Sequence, residues 1–470
     1  MCDRMQKLTK RQIDCIHNAS MDLLKNMGVS FNDEEAIGIF KKNGFKVEGR
    51  RVFFEERSVL DATESAPSRF SVEARNPKRS VSIGGERSVF APGYGAPFVV
   101  TADGVRRKAT MDDYDRFCKL VHTSPCLEMN GWMMVEPSDV PASEVHRHMI
   151  LSNLLYCDKP FMGSPVSKRG VRESLEMAGI AWGGVGAVAG KAVTVSLINS
   201  LSPLQFSEEM AGSLIETVRQ GQPCIIASLV MAGASGPVNL DGVLTLQNAE
   251  ILAGVTLSQL VGKGTPVLYG STSSAVDMRS GGLSIGAPTL SRNTHYTAQM
   301  ARHYGLPSRS GGALTDAQIP DAQAGIESAM ALTTAVRSGI HFILHSCGIL
   351  GSFIGMSFEK FLIDEELCEM ARRLLRTVEA TPESIGVEAI KTVGIGGQYL
   401  THPKTFQLCR TEFFHPDLMC RQNYESWKSS GSKRAEQTAA ENLARRLAGY
   451  EKPDIDPGIE KDLTDYVTRS

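Results

Sequence analysis

From about Ser88 to Ser357 the chain repeats one unit: a short apolar run, a polar or glycine-rich turn, then a longer helical pattern. The predicted strands lie at Leu127–Val135, Pro160–Gly163, Ala192–Asn199, Cys224–Val230, Pro266–Tyr269, Gly305–Arg309 and His341–His345. Predicted helices occupy Glu144–Tyr156, Gly170–Trp182, Glu208–Gln220, Asp241–Val261, Thr294–His303 and Asp321–Ser338, with another starting near Ser357. Short strands alternating with helices pair in parallel, because each helix carries the chain back to start the next strand through a right-handed crossover. With about eight such units, counting one from SVFAPGYGAPFVV, a closed (β/α)8 TIM barrel is expected rather than an open sheet. Neither a GxGxxG turn after a first strand nor a GxxxxGK[ST] loop occurs, so no nucleotide-phosphate cradle is read.

The flanks break this rhythm. Residues 1–87 read as an α+β extension: QIDCIHNASMDLLKNMG carries helical periodicity up to Gly28, and Asn32 or Asp33 caps a second helix that ends at Gly44. Short strands follow around VFF, FSVEA and VSIGG. The barrel is expected over 88–400, and 401–470 as a helical segment packing on it. The predicted helix Lys433–Tyr450 is a candidate surface for self-association, and homo-oligomers are common among barrels of this size.

Composition removes several classes of function. With 42% apolar and 22% charged residues and a net charge of -2, the chain is that of an ordinary globular protein without the basic surface a nucleic acid requires. The longest uncharged run, Gln220–Leu240, is broken by two prolines and several glycines, so it is no membrane span. The start, MCDRMQKLTKRQIDCIHNAS, lacks the apolar core of a secretory signal, and a cytoplasmic location is expected. Ten cysteines without a CxxC pair read as small hydrophobes in a reducing compartment. No metal site is expected, since neither His146 with His148 nor His295 with His303 has a third ligand at useful spacing.

In a barrel the C-terminal strand ends carry the site. That rule places Asn199, Tyr269, Arg309 and His345 together, with Tyr94 and Phe353 on adjacent loops. Arginine offers a planar fork for a carboxylate, and aromatic faces attract an alkylated ammonium, which together describe a pocket for a small betaine. Structural readings stand beside these. His345 in HFILHSCGIL could be a core histidine, Arg309 could pair with Asp316 or Asp321, and the aromatics could simply pack. Asp316, Asp321 and Glu327 fit the opening of a helix. No pair of carboxylates and no GxSxG elbow stands out for hydrolysis.

Three segments carry a family resemblance: LPSRSGGALTDAQIPDAQAGIESAMALTTAVRSG, HFILHSCGIL with GMSFEKFLIDEEL, and GQYLTHPKTFQLCRTEFFHPDLMCRQNYESW. In these the chain resembles the trimethylamine methyltransferase superfamily over nearly its whole length. The resemblance implies a (β/α)8 barrel that moves a methyl group from an amine to the cobalt of a corrinoid (cobalamin) carried by a separate partner protein. In the trimethylamine branch a pyrrolysine lies in the barrel, whereas ordinary residues fill the matching region from Ser346 to Met356 here. That departure points to the branch acting on quaternary amines. It implies that His345 and Arg309 handle a substrate carboxylate, and that Tyr94 and Phe353 border its ammonium. Proline betaine or glycine betaine is the expected substrate, with carnitine and γ-butyrobetaine as alternatives. An unrelated barrel lyase or hydrolase, or a non-catalytic betaine-binding protein, are the competing readings.

Overall fold

The computed structural model describes residues 8–468. Its centre is a seven-stranded sheet in the order Val89–Phe90, Phe342–Ile343, Ser308–Arg309, Val267–Ser271, Cys224–Ser228, Thr194–Asn199 and Phe161–Met162. All these neighbours run parallel, as a sheet built by helical crossovers must. The helices lie where the periodicity places them, among them Val145–Tyr156, Lys168–Ala181, Glu208–Arg219, Leu240–Val261, Pro288–His303, Ala322–Ser338 and Phe358–Leu374. The architecture is α/β and barrel-like. The segment expected as a strand over Leu127–Val135 is mostly loop, with isolated bridges at Asn130 and Val135. It nonetheless hydrogen-bonds on both sides. The Glu128 amide donates to Phe90 O, the Asn130 amide to Pro160 O, and the Met162 amide to Asn130 O.

The N-terminal residues add to this sheet system rather than standing off from it. Thr9 caps the helix Lys10–Asp22, and Gly28 takes the left-handed φ of 73° that ends the helical stretch. Of the two candidate caps for the second helix, Asp33 performs the role, accepting from the Ala36 amide. The strand Val29–Phe31 then pairs in parallel with Gln205–Phe206 from the central region, and Phe31 stacks on Phe206 at 5.0 Å. Phe31, Phe40 and Phe54 thus share one apolar cluster with Ile198 and Ile226 of the central strands. At the other end, the helix Ala435–Ala448 buries Ala439 and Leu443, and its Arg446 pairs with the buried Glu365 of Phe358–Leu374. Between them, residues 376–417 bury no side chain and expose Val378, Leu400 and Phe406. Among the described residues no helix is long and apolar enough to cross a membrane.

Candidate active site

At the C-terminal edge of the sheet three loops are laced together by their backbones. The Pro92 and Ala91 carbonyls accept from the His345 and Ser346 amides, and the Gly93 amide donates to Cys347 O. The APGYG loop therefore lies directly on the turn that follows Phe342–Ile343. The Ala313 amide donates to His345 O at 2.9 Å, which brings the SRSGGALTD loop onto the same turn. This contact depends on glycine. Gly312 has φ 134°, and a Cβ there would sit 2.5 Å from Leu344 O and 2.6 Å from His345 O. Gly312→Ala is thus expected to cost about 1–3 kcal/mol of strain and to displace Arg309 from His345. Thermal melting checks this: a wild-type melting temperature would contradict the packing.

Arg309 ends its strand fully buried, and its Nη2 donates to His345 Nε2 at 3.1 Å. An acceptor nitrogen facing a guanidinium fixes the histidine in the neutral tautomer with its proton on Nδ1. Burial first, then the charge of Arg309, holds His345 well below the ordinary imidazole range. Burial also lowers the affinity of Arg309 for its proton, to about 10, which leaves it cationic at neutral pH. Among the described residues neither Arg309 Nε nor His345 Nδ1 has a hydrogen-bond partner. Among the described residues no carboxylate pairs with Arg309. The two acids offered by the sequence are engaged elsewhere. Asp321 caps Ala322–Ser338, and Asp316 accepts from Ser284, Ile285, Gly286 and Ser352.

Aromatic rings surround this pair. Phe353 lies 4.8 Å and Tyr94 6.3 Å from the His345 ring, and Trp132 lies 6.1 Å from Tyr94. Burial pushes the Tyr94 phenol well up, so the ring is neutral. His345, Ser352 and Phe353 all hold positive φ without being glycine, at 62°, 56° and 76°. Such backbone costs on the order of 1–3 kcal/mol per residue and persists where the surroundings over-determine it, commonly at functional sites.

Of the residues selected from the sequence, the structure brings Arg309, His345, Tyr94 and Phe353 together. Asn199 stands exposed at the same edge, three strands across from Arg309. Tyr269 is not part of the group. Its side chain points outward to the helix layer, where its hydroxyl donates to Asn248 Oδ1 at 2.9 Å and its ring packs on Tyr304. Trp132, which sequence reasoning missed, supplies the additional ring, with its Nε1–H unpartnered among the described residues. The only available signal was the GW pair inside a segment read as a strand.

The comparisons with known proteins converge. The family model described as trimethylamine methyltransferase matches residues 1–470. The chain belongs to this family. It is 43% identical to a glycine betaine methyltransferase of Desulfitobacterium hafniense (strain Y51), covering 98% of this chain and 96% of that protein. It is 33% identical to a proline betaine:corrinoid methyltransferase of Eubacterium limosum over the same shares of both chains. The crystal structure of the Methanosarcina barkeri monomethylamine methyltransferase superposes with a TM-score of 0.54 at 10% identity, covering 95% of this chain and 89% of that one. At that identity the likeness establishes the shared α/β fold. The chain is a methyltransferase of this family.

Proposed function

We propose that this chain transfers a methyl group from a betaine-type quaternary amine, of the glycine betaine or proline betaine kind, to the Co(I) corrinoid of a separate partner protein. The observation that carries the reading is Arg309: a fully buried cation with no carboxylate partner among the described residues. Burying an unpaired charge costs several kcal/mol, so the fold gains by accepting an anion there. The carboxylate of a betaine completes the pair through the guanidinium fork, with the free His345 Nδ1–H as a further donor. Tyr94, Phe353 and Trp132 then face the alkylated ammonium, at roughly 0.5–2 kcal/mol per desolvated ring. The identities to two betaine methyltransferases support the same reading.

This donor set suits the chemistry. A quaternary ammonium releases a neutral tertiary amine, so the leaving group needs no proton. His345, held neutral, and Tyr94, held protonated, offer hydrogen bonds without charge. A reduced corrinoid docked over the mouth supplies the nucleophile. The residues of this chain bind the carboxylate, strip water from the cation and orient one methyl outward. We read the central sheet as a closed (β/α)8 barrel spanning 88–400, with 128–130 as its eighth stave. Residues 1–87 and 401–470 flank it, and the cytoplasm is the compartment that suits such a partner.

Isothermal titration tests the carboxylate reading. Glycine betaine or proline betaine should bind, and choline, which keeps the ammonium but lacks the carboxylate, should bind at least tenfold more weakly. Equal affinity for choline would remove Arg309 from its role.

A further inference from the structure

Behind the His345 turn lie three thiols that the site does not use. The sulfurs of Cys126, Cys347 and Cys368 all fall within 4.8 Å of one another, and all three residues are fully buried. They come from separate parts of the chain. Cys126 follows the helix Met111–Thr123, Cys347 lies two residues beyond His345, and Cys368 projects from the helix Phe358–Leu374. None is in a disulfide. Buried cysteines ordinarily serve as small hydrophobes, and single ones need no other account. Three sulfurs converging on one point from three elements is a different arrangement, because it forms the donor face of a soft-metal site.

We infer that Cys126, Cys347 and Cys368 form a three-thiolate site for a thiophilic d10 cation, Zn2+ before Cu+. Tetrahedral zinc with Zn–S bonds of about 2.3 Å separates its sulfurs by roughly 3.8 Å, within the span these sulfurs occupy. A side-chain oxygen lies beside one of the three sulfurs. Ser124 Oγ lies 3.5 Å from Cys126 Sγ. That matches the roughly 3.5 Å edge between a sulfur and an oxygen ligand on one tetrahedral zinc with a Zn–O bond of about 2.0 Å.

The location gives the site a purpose. The ion would tie the turn at 124–126, the turn after His345 and the helix Phe358–Leu374 into one unit. His345 is among the residues with positive φ, so a covalent-strength clamp two residues away would help hold the strained turn that presents it. The role is structural: no step of methyl transfer runs through the ion.

The test is metal analysis of the full-length chain purified under reducing, chelator-free conditions, followed by Zn2+, Cu+ and Co2+ titration of protein stripped of metal. The expected result is about one ion per chain surviving gel filtration, with Co2+ giving thiolate charge-transfer absorption in the near ultraviolet. Cys368→Ser and, separately, Cys126→Ser should each weaken Zn2+ binding by roughly 100-fold or more. Both are near-isosteric, and circular dichroism reports whether each folds. Should either fail to fold, the wild-type Co2+ spectrum still decides the matter. A reduced wild-type chain that holds no metal and takes up none of the three ions would overturn the inference. So would affinity unchanged in both folded serine variants, or a disulfide among these cysteines found by peptide mapping of the reduced preparation.

Discussion

Replacing Arg309 with alanine is expected to lower kcat/KM for a betaine by roughly 30- to 5,000-fold, the range for losing one member of a buried charge pair worth about 2–5 kcal/mol. The same variant should also melt lower, because it empties a fully buried side-chain volume and leaves His345 Nε2 without its donor. Arg309→Met, which keeps most of the volume without the buried charge, should lose activity to the same extent and melt near the wild-type temperature. Activity and stability therefore move apart, which a purely structural arginine would not produce. Arg309→Lys should not restore activity: lysine lacks the planar fork, and burial that lowers a guanidinium to about 10 drives an ammonium further toward neutrality. Steady-state kinetics and thermal melting on the same preparations check both halves. Wild-type kcat/KM in Arg309→Met would contradict the assignment.

Asp364→Ala should give the largest loss of stability, about 3–5 kcal/mol in a denaturant titration. Lys360 Nζ is buried and donates to both Asp364 oxygens, at 2.6 and 2.8 Å, as well as to Ala313 O and Ser328 Oγ. Asp364 in turn accepts from the Gly348 amide at 2.8 Å, tying the helix to the turn beyond His345. Burial pushes its carboxyl up to about 6 despite the adjacent ammonium, a measure of how dry the pair is. Truncating one partner leaves the other as an uncompensated buried charge. The double variant Lys360→Met with Asp364→Leu removes both charges and should recover most of the loss. If the single variant is as stable as the wild type, the pair does not bear the load placed on it here.

The strand–helix rhythm carried most of the fold, because strands buried on both faces and long amphipathic helices leave strong signatures. It also located strand ends, which is why Arg309 and His345 could be named as neighbours although 36 residues separate them. Tyr269 shows where that reasoning stops. Strand residues alternate between the two faces of a sheet, but Val267–Ser271 is buried throughout, so no polar partner marks which face looks inward. Trp132 escaped for a related reason: it sits in a looped segment fixed by backbone bonds from Gly95 and Glu136 to its neighbourhood, a tertiary effect without local pattern. The cysteine triangle was equally hidden. Its members lie more than 200 residues apart at the widest, and only the packing of the helix Phe358–Leu374 and the turn at 124–126 against the His345 turn brings them together.

The most direct measurement of the central claim is methylation of the partner corrinoid. The purified chain is mixed with a corrinoid protein reduced to Co(I) and with glycine betaine, proline betaine, carnitine, choline or trimethylamine in turn, and the corrinoid absorbance is followed. Conversion to the methylated form is expected with at least one carboxylate-bearing quaternary amine, and none with choline or trimethylamine. Conversion with trimethylamine alone, or none with any quaternary amine when the same corrinoid protein is methylated by another donor, would contradict the claim.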